Sequence, residues 1–436
     1  MRVTTLKQAL AAPRAALPGS AASQPVRATA LDELVATGLP TPRREDWRYT
    51  DLKPLVDAEL DFAPDQRDQA TLWRAGVNTL ADRGIGVDVP RLVFVDGHLI
   101  PWIRPNSGLG LGIEVRELDD YWRQPQATRG ARISTAAHPL AAFNTAFGQS
   151  GAWLRVADGA RVKELSIFLV ASGAPKLVAQ PRLVIDVGRG AEITIVQHVL
   201  DAADTDGWLN VVTDVSLAED SKLSLYRIQE HGQRHAHTSL LAVDLAARAS
   251  ASLGLFDLGG RLVRNDIDVK LREPGAALDL YGLLLAGEGQ HLDDHTRIDH
   301  IAPDTRSTEA FRGVIGKRGR GVFNGKVVVH RGAHGIDAHQ SSDNLLLSDQ
   351  AEIDTKPELE IYADDVKCSH GSTVGELDAE HLFYLRSRGI EEAHAREILT
   401  TAFAATVLER IAMPDIRASV ADKVAARLRA LTEVSR

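Results

Sequence analysis

A chain of 436 residues is long enough for about two to four domains with ample core. Its 50 lysines and arginines against 59 acids leave a net charge of −9, which argues against general nucleic-acid binding, though a local basic patch is compatible with it. One cysteine excludes an intrachain disulfide and any zinc or iron–sulfur site built from several thiolates of this chain alone. It also points to a reducing cytoplasm, and no run of about 18 apolar residues is present to make a transmembrane helix.

Residues 1–150 read as a mixed, mostly helical region. The first stretch carries Lys7, Arg14 and Arg27 but no acid before Asp32. That fits an organelle transit segment or, the reading the composition favours, a short helix and a Pro-containing arm. LDELVATGLP is a short helix ended by Gly38 and Pro40. The mixed-charge segment REDWRYTDL suits a docking edge or a helix start anchored by Trp47, with the anchor favoured. RLVFVDGHLI (91–100) predicts a hairpin turning at Asp96-Gly97. Five tryptophans, Trp47, Trp73, Trp102, Trp122 and Trp153, fall in the first 153 residues and are expected to pack helices onto the adjoining central segment.

From 151 to 375 alternating apolar residues and tight turns dominate. LRVADGARV, IDVGRGAEITI, VSLAEDSKLSL and VDLAARASASL each place two inward candidates six apart: Val156 and Val162, Val187 and Ile193, Leu217 and Leu223, Leu245 and Ala251. With Leu271, the first members are spaced by 31, 30, 28 and 26 residues. A strand unit repeated at such a period must stack on its neighbours to bury its apolar face, which predicts a β-solenoid. A β-sandwich with regular turns is the alternative.

Residues 376–436 return to helical periodicity. A short helix stops at Gly389. A second places Ile398, Leu399, Ala402, Phe403, Val407 and Ile411 along one side and ends before Pro414. A third stripes Val420, Val424 and Leu428. These helices either cap the end of the solenoid or leave a face for a partner.

Several segments could carry chemistry. In an extended VKCSHG, Cys368 and His370 lie on one face, where they could share a metal or the imidazole could activate the thiol. A half-buried cysteine beside a turn histidine is the other reading. HLDDHTRIDH (291–300) looks like a metal box, with His291, Asp293, His295 and Asp299 on one strand face, but a polar solvated face is the expectation. A stand-alone metal-dependent enzyme using His291 and His295 is the functional alternative this segment raises. GKRGRGVFNGKVVVH lacks the spacing and the Ser or Thr of a phosphate loop, so it reads as a Gly-rich turn entering a strand. No catalytic residue is assigned.

The long stretch DTKPELEIYADDVKCSHGSTVGELDAEHLFYLRSRGI (354–390) closely resembles the C-terminal signature of the SufB/SufD family of iron–sulfur cluster assembly proteins. REDWRYTDL, AAFNTAF (141–147), QHLDDHTRIDHIAP (290–303), VFNGKVVV (322–329) and NLLLSDQAEIDTKP (344–357) resemble it too. The arm and the scarcity of cysteine are nearer the SufD branch.

The resemblance implies a mainly β fold, a right-handed parallel β-helix flanked by N- and C-terminal helical regions. Boundaries are expected at 1–150, 151–375 and 376–436. It implies a non-catalytic scaffold subunit of the SUF complex that pairs with a SufB-like paralogue, docks a SufC-like ABC ATPase, and contributes to nascent cluster assembly and iron acquisition. A homodimer is possible for the chain alone. His370 is then implied as a ligand of an interface site shared with the paralogue, with Cys368 auxiliary. Ile398, Leu399 and Phe403 fall on the ATPase-docking helix. The cluster or iron is shared, and none is expected to be held tightly by the isolated chain.

Overall fold

The computed structural model describes residues 17–58, 60–62, 68–85, 90–100, 112–125 and 134–432; Lys7, Arg14 and Trp102 lie outside them. Residues 151–375 wind into a parallel β-solenoid of eight coils, each giving one strand to each of two sheets. The coils span 151–171, 182–201, 207–229, 235–257, 262–286, 291–315, 320–346 and 352–375.

The repeat read from the sequence is the circumference of a coil. Val156, Val187, Leu217, Leu245 and Leu271 are successive rungs of one column. Val162, Ile193, Leu223, Ala251 and Leu278 form a second. Both columns point into one continuous apolar interior. Parallel pairing between coils rules out the sandwich, because each strand meets the strand one full turn later rather than its sequence neighbour. The corner between the two strands of a coil needs one residue in the left-handed region. Gly159, Gly190 and Gly275 supply it in some coils, and Asp220, Arg248, Asp304 and Asp365 in others, with φ between 55° and 76°. Asp365, in the acidic pair before Cys368, is therefore a corner residue.

The N-terminal region closes the first coil and packs against both sheets. It comprises α1 (Gln24–Thr37), a 3₁₀ turn (Glu45–Trp47), α2 (Lys53–Val56), α3 (Gln69–Asp82), α4 (Leu118–Trp122) and α5 (Pro139–Phe147). Helix α1 ends at Gly38, as expected, where φ is 68° and the Gly38 N–H reaches Leu34 O at 2.8 Å. The hairpin Arg91–Val95/His98–Leu99 turns through Asp96 and Gly97, both at positive φ, and adds to the edge strand Arg161–Ala171. Strand Ile113–Glu117 pairs antiparallel with Gly151–Val156 on the other sheet. Trp47, Phe143 and Trp208 share a core beneath the helices, whereas Trp73 is largely exposed.

At the C-terminus, α6 (Ala379–Ser387), α7 (Glu392–Leu408) and α8 (Pro414–Thr432) follow the last coil. They do not cap the solenoid end. Instead α7 and α8 fold back along its flank, where Val420, Val424 and Leu428 join Tyr226, Phe256 and Tyr281 in one cluster. Lys423 Nζ reaches Glu230 in the third coil at 2.6 Å. Ala402 faces solvent, and the buried side of α7 is Ala395, Thr400, Ala404, Val407 and Leu408. The flank offers a row of outward aromatics, Tyr226, Phe256 and Tyr281, that the apolar stripe of α8 buries. Coil 8 is consequently bare: strands Glu352–Ile361 and Val366–Gly375 have no buried residue, and each pairs on one side only.

Candidate functional site

The bare end carries Cys368 and His370. In the parallel register Cys368 pairs with Ala338 and His370 with Gln340, both of which are buried and inward. The alternate residue Ser369 faces out, where its hydroxyl bonds His339 Nδ1 at 2.7 Å. Cys368 and His370 are thus on the inward row of the final coil, Cys368 packed against the end of the apolar interior and His370 exposed. Burial and the nearby Asp337 push the Cys368 thiol up. These surroundings favour the protonated thiol rather than the thiolate.

Behind His370 the interior is not uniformly apolar. The rungs inward from it are Gln340, Glu309 and Leu280. Glu309 accepts a hydrogen bond from Gln340 Nε2 at 2.5 Å, and burial pushes its carboxyl up to about 7. Further in, Asn265 donates to Asp257 at 2.9 Å and to Asp294 at 2.7 Å, and its carbonyl accepts from Arg227 at 2.8 Å. Burial raises both carboxyls, and the nearby Asp257 charge raises Asp294 further.

The 291–300 segment is a strand, as expected, but its outward face is largely covered, with only Arg297 exposed. Asp293 is fully buried beneath the REDWRYTDL arm. Arg264 Nη1 donates to Asp293 Oδ2 at 2.8 Å, His295 Nε2 lies 3.1 Å from Oδ1, and Thr50 donates to Oδ2. Trp47 lies on the Arg264 guanidinium at 4.3 Å, and Thr50 also bonds His291 Nε2 at 2.7 Å. Burial alone would raise Asp293, but Arg264 and His295 outweigh it and hold the carboxyl well below the usual range. On the inward side His300 is a satisfied core histidine, bonded to Thr305 and Ser307 at 2.8 and 2.9 Å. The segment clamps the arm onto the sheet. The solvated-face expectation fails because alternation predicts which side a residue faces, not what later packs over it.

A groove of about 560 Å³ lies beside this clamp. Its cations are matched by its acids, as in Arg297–Asp299 at 2.8 Å and Arg264–Asp266 at 2.7 Å, so it presents no strong field of one sign.

One cluster escaped the sequence reading. Among the described residues, the set whose metal-ligating atoms all lie within 4.8 Å of one another is Asp201, His231 and His235, every one buried. The segment HGQRHAH (231–237) signals it, but its carboxylate stands 30 residues earlier and becomes visible only when the coil period is applied.

Ile398 and Leu399 are half-buried on α7. Phe403 is turned to the solenoid, where the Arg312 guanidinium lies 4.5 Å from its ring and donates to its carbonyl at 2.6 Å. On α6 no residue is buried, and Phe383 and Tyr384 are 74% and 57% exposed.

Among the described residues no helix is long and apolar enough to cross a membrane. Residues 168–403 match the family model described as SUF system FeS cluster assembly, SufBD core domain. The iron-sulfur cluster assembly protein SufD of Escherichia coli is 32% identical over 410 residues, covering 91% of each chain. An iron-sulfur cluster assembly SufBD family protein of Synechocystis is 28% identical over 92% of this chain and 90% of its own. The chloroplastic protein ABCI7 of Arabidopsis thaliana is 32% identical over 55% of this chain and 51% of its own.

Proposed function

The chain belongs to the SufBD family and is a SufD-like iron–sulfur cluster assembly protein of the SUF system; from that premise we propose that it acts as a non-catalytic scaffold subunit whose bare last coil is completed by a SufB-like paralogue. The observation that carries this is the open rim. Two edge strands leave a row of backbone donors and acceptors unpaired, and such edges are ready templates for another strand. A second solenoid of like coil size would continue both sheets.

His370 sits on this rim as one imidazole ligand. A chain with one thiol cannot enclose an iron–sulfur cluster by itself, so the remaining ligands come from the partner. Cys368, with its thiol raised and half covered, serves as an auxiliary group that binds metal only once the interface forms. The cluster is the cargo of the complex.

The C-terminal helices supply the ATPase contact in this proposal. Phe383 and Tyr384 on α6 offer exposed aromatic surface, Ile398 and Leu399 lie partly open on the next helix, and Phe403 fixes that helix to the solenoid. Because the same helices pack on the coils, movement of a docked ATPase would be passed to the rim as a rigid-body shift.

The alternative, a metal-dependent enzyme at His291 and His295, is less favoured by this reading, because His291 bonds Thr50 and His295 lies against Asp293 beneath the arm. The test is co-expression with SufB-like and SufC-like chains and purification through a tag on this one. A ternary complex that carries cluster absorbance, and that loses it on His370→Ala while all three chains remain together, is the expected result. Failure of the paralogue to co-purify would remove the proposal.

A further inference from the structure

A second group of metal-ligating side chains lies within the body of the solenoid, in coils 2–4, away from the rim in coil 8. Asp201 ends the coil 2 strand Glu192–Asp201, and His231 follows the coil 3 strand Lys222–Gln229. Since Gln229 pairs with Val199, His231 stands one rung above Asp201. His231 Nδ1 hydrogen-bonds Asp201 Oδ1, and the Gly232 N–H donates to Oδ2 at 2.7 Å. His235 opens the coil 4 strand. Its ring stacks on that of His231 with centroids 4.2 Å apart, and its Nδ1 lies 3.9 Å from the same Asp201 oxygen. His237 comes two residues later, 5.5 Å from His231 between ring centroids.

The backbone makes room for these rings. His235 pairs in register with Gly207, and a Cβ there would fall 2.5 Å from His235 Cε1. The cluster is sealed from solvent: the four residues are between 0% and 7% exposed.

What points to a ligand is the unmet bonding capacity. His231 Nε2, His235 Nδ1 and both ring nitrogens of His237 are buried with no hydrogen-bond partner. An orphaned buried polar atom is costly, and four in one place point to something they bind.

We propose that Asp201, His231 and His235 bind one divalent first-row transition-metal ion, with His237 beside the open position. Two imidazoles and a carboxylate suit zinc in tetrahedral geometry and iron(II) as a facial triad, and they suit calcium or magnesium poorly. Ligand atoms around such an ion stand roughly 3.3 Å apart at bond lengths of about 2.1 Å. The present ligand atoms, all within 4.8 Å of one another, would close to that spacing around the ion. The site needs neither the rim nor a partner chain.

The experiment uses the full chain, unfolded and refolded with zinc, with cobalt(II), or anaerobically with iron(II), so that a buried site is accessible. Excess ion is then removed with a weak chelator. About one ion per chain is expected, with cobalt showing the visible bands of a low-coordinate nitrogen–oxygen site. Asp201→Asn and His235→Asn should weaken retention tenfold or more, whereas His370→Ala and Cys368→Ser should leave it unchanged. The relative retention of zinc and iron(II) identifies the ion preferred. No retained ion in the refolded native chain overturns the proposal, and so does an ion lost in His370→Ala but kept in Asp201→Asn. Should the Asp201 and His235 variants not fold, histidine-labelled native protein carries the test. One equivalent of zinc must shift the resonances of His231 and His235, and shifts confined to other histidines overturn the assignment.

Discussion

His370 stands directly over Gln340 in the parallel register, so the exposed imidazole at the rim is the outermost rung of a row whose next two members, Gln340 and Glu309, are buried and hydrogen-bonded. The rim and the polar interior are one structure, and changes on the row divide by depth.

At the outer end, His370→Ala is expected to change the stability of the isolated chain by no more than about 0.5 kcal/mol, because the imidazole is exposed, and Cys368→Ser by about 1 kcal/mol, because the thiol is half covered against the apolar interior. In the complex with SufB-like and SufC-like partners, His370→Ala should abolish cluster absorbance and Cys368→Ser should reduce it. Urea unfolding of the chain and the visible spectrum of the complex measure the two effects separately.

Deeper on the row, the sign of a pH effect is set by Glu309. Its folded carboxyl is raised by burial to about 7 from the ordinary 4.5. The native state therefore holds a proton that the unfolded state has released between those values. This contribution to stability is present in full below about pH 4.5 and is lost as pH rises through about 7. At about 1.4 kcal/mol per unit the loss is on the order of 3 kcal/mol. Glu309→Gln should remove it, so the difference between variant and native unfolding midpoints should widen from pH 5 to pH 8 in favour of the variant.

Under the N-terminal arm, Asp293→Ala leaves Arg264 charged, buried and short of one partner. The expected loss is about 3–5 kcal/mol. Trp47→Ala should cost about as much by opening a cavity over the same guanidinium. The two losses should be less than additive, since Trp47 and Asp293 hold the same Arg264. A double-mutant cycle by chemical denaturation checks this; strict additivity would show that they are independent.

The C-terminal helices separate folding from docking. Phe403→Ala should lower stability by about 1–2 kcal/mol through loss of the Arg312 contact. Phe383→Ala with Tyr384→Ala should leave the melting temperature nearly unchanged, since both rings are mostly exposed, yet weaken ATPase co-purification at least tenfold. Retention of the ATPase by that double variant would move the docking surface elsewhere.

The apolar spacing at Val156, Val187, Leu217, Leu245 and Leu271 pointed to a solenoid by itself, because a strand column repeats at the length of a coil, but only the parallel pairing between coils separated it from a sandwich. The same logic made Cys368 and His370 neighbours on one face, and Gly38 and Asp96-Gly97 turn points, since each depends on residues a few positions apart. Tertiary structure alone decided what covers what. Asp293 became buried because an arm some 240 residues earlier lies over it, and α8 took the flank because outward aromatics from several coils combine there. Asp201 met His231 only through the stacking of coils. Those contacts depend on the summed free energy of distant surfaces, which no local pattern encodes.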